Sequence, residues 1–177
     1  MESSYKEKYP QLAELDRDFL ISILEDAAKN WLAHDGLWFQ GVERRFGMET
    51  AIEIDAEAWR QFTVIEARRI MERHGIAPGS GISGLARALG FRLYAFINRQ
   101  EITEQTQNRL VFTMKECRVQ AARKRKGLDD FPCKTVGLVE YEWFARTVDE
   151  RIQTRCLFCP PDRHPDDAWC SWEFVIK

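Results

Sequence analysis

The first half of the chain carries apolar residues at helical spacing. In the stretch DRDFLISILEDAAKNWLAHDGLWFQGVERRFG, they return at steps of three, four and seven between Leu20 and Phe46. Asp16 or Asp18 is a suitable N-cap for this segment, and Gly47 can end it in a left-handed turn. The pattern therefore predicts one long helix near the N-terminus.

Two more helices are predicted by the same spacing. The stretch METAIEI predicts a short helical turn, after which Asp55 is expected to cap a second long helix that ends at Gly75. After the loop IAPGSG, apolar residues from Ile82 to Phe96 recur at steps of three and four, which predicts a third helix. Residues 1–78 are accordingly expected to form a helical arm.

Beyond the third helix, the apolar period changes from helical to alternating. EITEQT and RLVFTMKECRV predict a β-hairpin around a polar Gln-Asn corner, and VGLVEYEWFARTV predicts a fourth helix. IQTRCLFC and WCSWEFVIK predict two terminal strands. In the last strand, Cys170, Trp172 and Phe174 are expected to share one face, because side chains alternate along a strand.

This order of elements predicts an α+β fold, in which long N-terminal helices pack with a roughly four-stranded antiparallel sheet. Residues 79–177 are expected to form the α+β domain and residues 1–78 the helical arm, the two together making one compact unit. The arm is expected to fold onto the sheet or onto a second copy of the chain, so a homodimer is one predicted partnership.

Composition and charge narrow the classes of partner. Apolar residues make up 45% of the 177 positions, and 26 basic residues nearly balance 28 acidic ones, for a net charge of -2. A chain so balanced has no overall attraction to nucleic acid or to an anionic membrane. The basic stretch RVQAARKRK lacks the interleaved aromatic residues that stack on bases, so we expect a solvated surface there and no nucleic-acid partner.

The N-terminal segment and the apolar runs bear on location. MESSYKEKYPQLAELD is charged and has no apolar centre, which predicts that it is not a signal peptide. No apolar run approaches the roughly 20 residues of a membrane span, so no membrane partner is predicted. We expect a cytoplasmic protein of bacterial type, in which the five cysteines are thiols or metal ligands more readily than disulfides.

A group of cysteines near the C-terminus is the first candidate for chemistry. Cys156 and Cys159 end the third predicted strand, and Cys170 lies on the fourth. Cys117 ends a strand of the predicted hairpin, and Cys133 precedes the fourth predicted helix. Thiolates bind zinc tetrahedrally, and a C-x-x-C pair lets both sulfurs reach one ion, so we predict a soft metal such as zinc at this cluster. The alternative is that these cysteines are small buried apolar side chains.

The second candidate is the stretch WLAHDGLWFQG. His34 stands among aromatic residues, where a histidine can act as a general base, and it is the one candidate catalytic residue. The flanking Trp31, Asp35, Trp38 and Phe39 are predicted to form the wall of a ligand site. A surface histidine without a catalytic role is the alternative.

The third candidate lies in the second long helix, in VIEARRIM. Glu66 falls on the apolar face, and a buried carboxylate needs a partner, for which an arginine from another segment is suitable. Together with Arg69, it is predicted either to hold a carboxylate-bearing ligand or to take part in a structural ion pair.

Three segments of the C-terminal half, NRLVFTMKECRVQ, FPCKTVGLVEYEWFA and IQTRCLFCPPDRHPDDAWCSWEFVI, resemble the 4-vinyl reductase domain over roughly the last eighty residues. Cys117, Cys133, Cys156 and Cys170 fall on the cysteine positions of that family. The extra Cys159, the longer loop after it, and a bulkier helix after Cys133 depart from its pattern. With its helical N-terminal half, the chain is also similar to the family of L-2-amino-thiazoline-4-carboxylic acid hydrolases.

These resemblances imply an α+β cytoplasmic protein that holds a small apolar or cyclic molecule. The leading hypothesis is a small-molecule-binding domain whose cysteine cluster holds zinc. A hydrolase that opens a small cyclic amidine or amide, with His34 as base, is one alternative. An interaction protein that dimerises through its helical arm is another.

Overall fold

A computed structural model describes residues 4–177. Residues 1–3, which begin the segment for which we predict no signal peptide, lie outside it. The helices are α1 (Tyr5–Lys8), α2 (Pro10–Ala13), α3 (Arg17–Phe46), α4 (Met48–His74), α5 (Gly81–Leu89), α6 (Arg118–Arg125) and α7 (Lys134–Val148), with a 3-10 turn at Leu93–Phe96. The strands are β1 (Arg99–Gln105), β2 (Arg109–Glu116), β3 (Gln153–Phe158) and β4 (Cys170–Val175).

The first long helix follows the prediction closely. The Asp16 carboxylate accepts a hydrogen bond from the Phe19 backbone N–H at 2.8 Å and so caps α3, while Gly47, with a φ of 86°, ends it. The prediction for Asp55 is wrong. Helix α4 runs without interruption from Met48, and Asp55 lies inside it, because no residue between them breaks the helix and the side chains of Ala51 and Trp59 both pack inward.

The third predicted helix is shorter than its apolar spacing suggests. Helix α5 ends at Leu89, and the chain becomes extended at Arg92 before it enters the 3-10 turn. Gly90, a poor helix former, directly follows α5, and Arg92 is buried against Glu66 and Glu140, so a local signal and a tertiary contact coincide where the helix ends.

The four strands form one antiparallel sheet in the order β1-β2-β4-β3, which confirms the predicted α+β class. Phe112 of β2 lies opposite Trp172 of β4, and Leu110 lies opposite Phe174. Trp172 and Phe174 are fully buried on the face that α7 covers. The predicted hairpin and the predicted inward face of the last strand are both confirmed.

The helices of the predicted arm share a core with the sheet. Ile70 and Met71 of α4 pack in the same cluster as Phe144 of α7 and Trp172 of β4. The first half of α3 is different, because large apolar side chains such as Phe19 remain more than half exposed there. The predicted homodimer through this arm stays a prediction. None of the helices within residues 4–177 is long and apolar enough to cross a membrane.

Close packing of α7 on the sheet depends on Gly137. A Cβ atom at this position would lie 2.7 Å from Cζ2 of the Trp172 ring. We expect Gly137→Ala to lower the free energy of unfolding by about 1–3 kcal/mol in urea titrations, because the tryptophan must shift in a packed core. Gly36→Ala in α3 is the control, since its Cβ would meet nothing within 4 Å and should stabilise the helix by about 0.5–1 kcal/mol. Equal stability of the two variants would contradict this.

Candidate functional site: a cavity beside a cluster of thiols

A cavity of about 380 Å³ lies between α3, α4, α6, α7 and the sheet. Its volume falls within the range of about 300–1,000 Å³ that small-molecule sites occupy. Most of its surface is apolar, and its aromatic lining residues come from six different segments: Phe39, Trp59, Tyr94, Phe131, Tyr141 and Trp172.

The aromatic wall is held by ring contacts between segments. Trp59 of α4 stacks on Tyr94 of the 3-10 turn, with ring centroids 5.8 Å apart and planes 17° apart. Phe39 of α3 meets the ring of Phe131 edge-on at 4.8 Å. Trp31 braces this wall from behind, with its edge against Trp59 at 5.9 Å. These contacts hold the wall in shape without a ligand.

Two carboxyl groups of the lining come from neighbouring long helices. Burial raises the pKa of Asp35 on α3. Burial, together with the nearby charges of Asp35 and Glu140, raises the pKa of Asp55 on α4 to about 7. No cation among residues 4–177 forms an ion pair with either group. The cavity wall therefore carries a carboxyl group that titrates near neutral pH.

A buried ion triad supports the same wall. The Arg92 guanidinium lies 2.8 Å from a Glu66 carboxylate oxygen and 2.5 Å from one of Glu140, and all three side chains are nearly inaccessible. This ion pair is the structural alternative that the sequence predicts for Glu66. Burial opposes the charge of Arg92, but the two carboxylates outweigh it and raise the pKa of the guanidinium. Burial raises the pKa of Glu140 despite the nearby Arg92, and the negative charge of Glu66 adds to this effect.

The cysteines converge at one end of the cavity. The Sγ atoms of Cys133 and Cys159 are 3.5 Å apart, and the Cys159 thiol lies near that of Cys170. These three sulfurs, which we call the thiol cluster, all line the cavity together with Cys117. Cys156 lies on β3 outside the lining, and all five cysteines are free. The predicted convergence of the terminal strands thus brings Cys159 and Cys170 together.

The thiols differ in their pKa. Burial raises the pKa of Cys117 to about 12 and that of Cys156 to about 11. The pKa of Cys159 is also raised, because its proton is engaged by Cys133 and Cys170. The pKa of Cys133 is lowered instead, chiefly because the Cys159 thiol donates a hydrogen bond to it.

The zinc prediction stays a prediction. Within residues 4–177, no group of three or more His, Cys, Asp or Glu side chains has the arrangement needed to hold a metal ion. The sulfurs of Cys133 and Cys159 are spaced for mutual hydrogen bonding.

The rim of the cavity is cationic. Arg118 and Arg125 of α6 line it, together with Lys126, which follows that helix, and Lys29 of α3. Arg123 anchors α6 through two hydrogen bonds to the Glu43 carboxylate, at 2.9 and 3.0 Å. The sequence predicts a solvated surface for this basic stretch. In the structure, the stretch also covers the cavity. The sequence signal for this arrangement is the helical spacing of positions 118, 122, 125 and 126, which places these residues on one face.

The predicted site residues fall into three groups. Asp35 and Phe39 line the cavity, whereas Trp31 and Glu66 lie behind its wall. His34, Trp38 and Arg69 are exposed and do not line it, with Trp38 65% exposed. Catalysis by His34, and with it the hydrolase alternative, stays a prediction. Sequence reasoning missed Asp55, Trp59 and Tyr94 as lining residues, since they meet α3 and α6 only in the folded chain.

The fold and the site define an α+β domain that encloses a cavity beside free thiols. A family model, the family of unknown function DUF6125, matches residues 13–176. The chain belongs to that family. No curated protein sequence matches it.

The fold of this chain is similar to that of a solved structure. It is a trafficking protein particle complex subunit 3 from Naegleria fowleri, covalently bound to palmitic acid in its crystal structure. The two chains superpose with a TM-score of 0.51 and 11% identity, over 87% of this chain and 95% of the other. The likeness establishes the fold alone. Neither comparison bears on the resemblance to the 4-vinyl reductase domain, which stays a prediction.

Proposed function

We propose that this protein binds a small amphipathic molecule, with an apolar chain inside the cavity and an anionic end at the rim. The enclosed apolar cavity between α3, α6 and α7 is the observation that carries the proposal. The packed core of a protein normally leaves few voids larger than a water molecule. A cavity of about 380 Å³ with braced walls is therefore a site for a guest molecule.

The inner end favours an apolar ligand with few polar groups. Met114, Val136 and Trp172 line it beside the thiols, which are weak hydrogen-bonding groups. The indole Nε1 of Trp172 is buried and has no hydrogen-bond partner among the described residues. A single acceptor on a ligand would satisfy it.

The rim favours an anionic end group. Arg125 has no ion-pair partner among residues 4–177, and Lys126 donates only to the neutral side chain of Gln40, at 2.8 Å. Guanidinium and ammonium groups bind carboxylates and phosphates through charge-assisted hydrogen bonds. The palmitic acid held by the fold neighbour supports an acyl chain as the apolar part.

Filling part of the cavity from α6 should weaken binding. We expect calorimetric titration with octanoic, dodecanoic and hexadecanoic acids to detect binding to the wild-type protein. Ala122→Trp, which projects a large ring from α6 into the cavity, should weaken it by about tenfold or more, or about 1.4 kcal/mol. Ala121→Trp is the matched control, because its side chain is exposed on the same helix and does not line the cavity.

The anionic end group is tested separately. Arg125→Gln should weaken binding of dodecanoic acid more than binding of dodecanol, since only the acid carries a charge for the arginine. Undetectable binding of all of these ligands, or equal binding by the two tryptophan variants, would refute the proposal.

A further inference from the structure

One thiol of the cluster lies in surroundings unlike those of the others. Cys133 occupies the position before the first residue of α7, a helix of 15 residues. The unpaired backbone N–H groups of a first helical turn favour a negative charge, and they lower the pKa of a cysteine placed there. Cys133 is partly exposed and lines the cavity, whereas Cys159 is only 1% exposed.

The side chain of Gln120 is held so that it faces this sulfur. The Phe131 backbone N–H donates to Gln120 Oε1 at 2.9 Å, and Gln120 Nε2 donates to the Phe131 carbonyl at 2.8 Å. These two bonds fix the amide orientation. The Nε2 group, at 3.7 Å, then donates its second hydrogen to Cys133 Sγ.

Cys159 supplies a second hydrogen bond to the Cys133 sulfur. The Cys159 thiol lies 3.5 Å from Cys133 Sγ, and the neighbouring thiols of Cys133 and Cys170 raise the pKa of Cys159, which favours its protonated form. Hydrogen bonds to a charged group favour its charged form. Cys117 also precedes a helix, but burial dominates there and raises its pKa. The surroundings therefore favour the thiolate form more at Cys133 than at Cys117 or Cys159.

We propose that Cys133 is a nucleophile that takes an acyl group from an acyl thioester and holds it in the cavity. This inference rests on the proposed function, because the acyl chain would occupy the same apolar space. The Cys133 sulfur attacks the carbonyl carbon, a new C–S bond forms, and the C–S bond to the leaving thiol breaks. The leaving thiolate takes up the proton that Cys133 has lost, so no oxidant or reductant is needed.

The cationic rim fits an acyl-coenzyme A as the donor of the acyl group. Thioesters of coenzyme A carry phosphate groups on the leaving thiol, and Arg118, Arg125 and Lys126 are placed to bind phosphates while the acyl chain is inside. Gln120 and Cys159 are positioning residues in this scheme, since they act through the sulfur of Cys133.

Thiol reactivity is the first part of the test. Iodoacetamide labelling, mapped by peptide mass spectrometry across pH 5–10, should modify Cys133 before the other four cysteines. Cys159→Ala should move the labelling midpoint of Cys133 to higher pH, with a tenfold lower thiolate fraction for each unit of pKa. Cys156→Ser, which alters a cysteine outside the lining, should leave the Cys133 profile unchanged.

Acyl transfer is the second part. Incubation of the wild-type protein with octanoyl-CoA or hexadecanoyl-CoA should add one acyl mass, which hydroxylamine removes. Cys133→Ser should add none, and Cys156→Ser should behave as wild type. Acylation at another cysteine, or none at Cys133, overturns the inference. If free fatty acids still bind in that case, the proposed function stands, and if they do not, both fail.

Discussion

Replacing Arg92 with methionine is expected to lower the free energy of unfolding by about 3–5 kcal/mol at pH 7. Arg92 is 2% exposed and lies between Glu66 and Glu140, whose side chains are each about 10% exposed. Without the guanidinium, two buried carboxylates face each other with no cation, and the cost of leaving a charge buried and unpaired is large. Urea denaturation followed by tryptophan fluorescence measures the loss.

The pH dependence of this loss identifies its cause. Burial raises the pKa of Glu140, so lowering the pH to 4 favours the protonated form of this carboxyl in the variant, and the difference from wild type should shrink. Arg99→Met is the matched control, because Arg99 pairs with Glu101 and Glu116 at an exposed site. Exposed ion pairs contribute about 0–1 kcal/mol. A loss for Arg92→Met as small as that of the control would contradict a buried triad.

Replacing Asp55 with asparagine is expected to raise the free energy of unfolding by about 2–4 kcal/mol at pH 8. Burial and the nearby Asp35 and Glu140 raise the pKa of Asp55 from 3.8 to about 7 in the folded protein. Between pH 3.8 and about pH 7, the Asp55 carboxyl therefore keeps a proton in the folded state that it has already released in the unfolded state. Wild-type stability consequently falls as the pH rises from about 4 to 7, and this loss is complete above pH 7.

The asparagine variant cannot ionise, so this part of the pH dependence should disappear. Its gain should be near zero at pH 4 and should grow to its full size at pH 8. Asp166→Asn, at an exposed position in the loop before β4, is the control and should change stability little at either pH. A gain for Asp55→Asn that is the same at pH 4 and pH 8 would show that removal of a buried charge is not its cause.

The secondary structure was largely predictable because its signals are local. The alternation around Phe112 and Trp172 marks the strands, and the spacing that ends at Phe46 marks the first long helix. Asp55 illustrates the limit of this reasoning. Aspartate is common at N-caps, but here it lies in mid-helix, where it faces a cavity that only the packing of α3 against α4 creates.

The candidate site was predictable only in part. The terminal cysteines were expected to meet, and Cys159 and Cys170 do so. Their nearest further neighbour, Cys133, comes from the loop before α7, and the orientation of Gln120 depends on a backbone group of Phe131. No spacing in the sequence encodes these distances.

By itself, the sequence determined the α+β class, the antiparallel hairpin and the inward face of the last strand, since periodicity along the chain reports which side of an element is buried. Only the tertiary structure decided that Arg92 is buried between two carboxylates, that the basic α6 covers a cavity, and that Cys133 differs from the other thiols. The physical reason is that charge and thiol chemistry depend on burial and on partners from distant segments, which periodicity does not record.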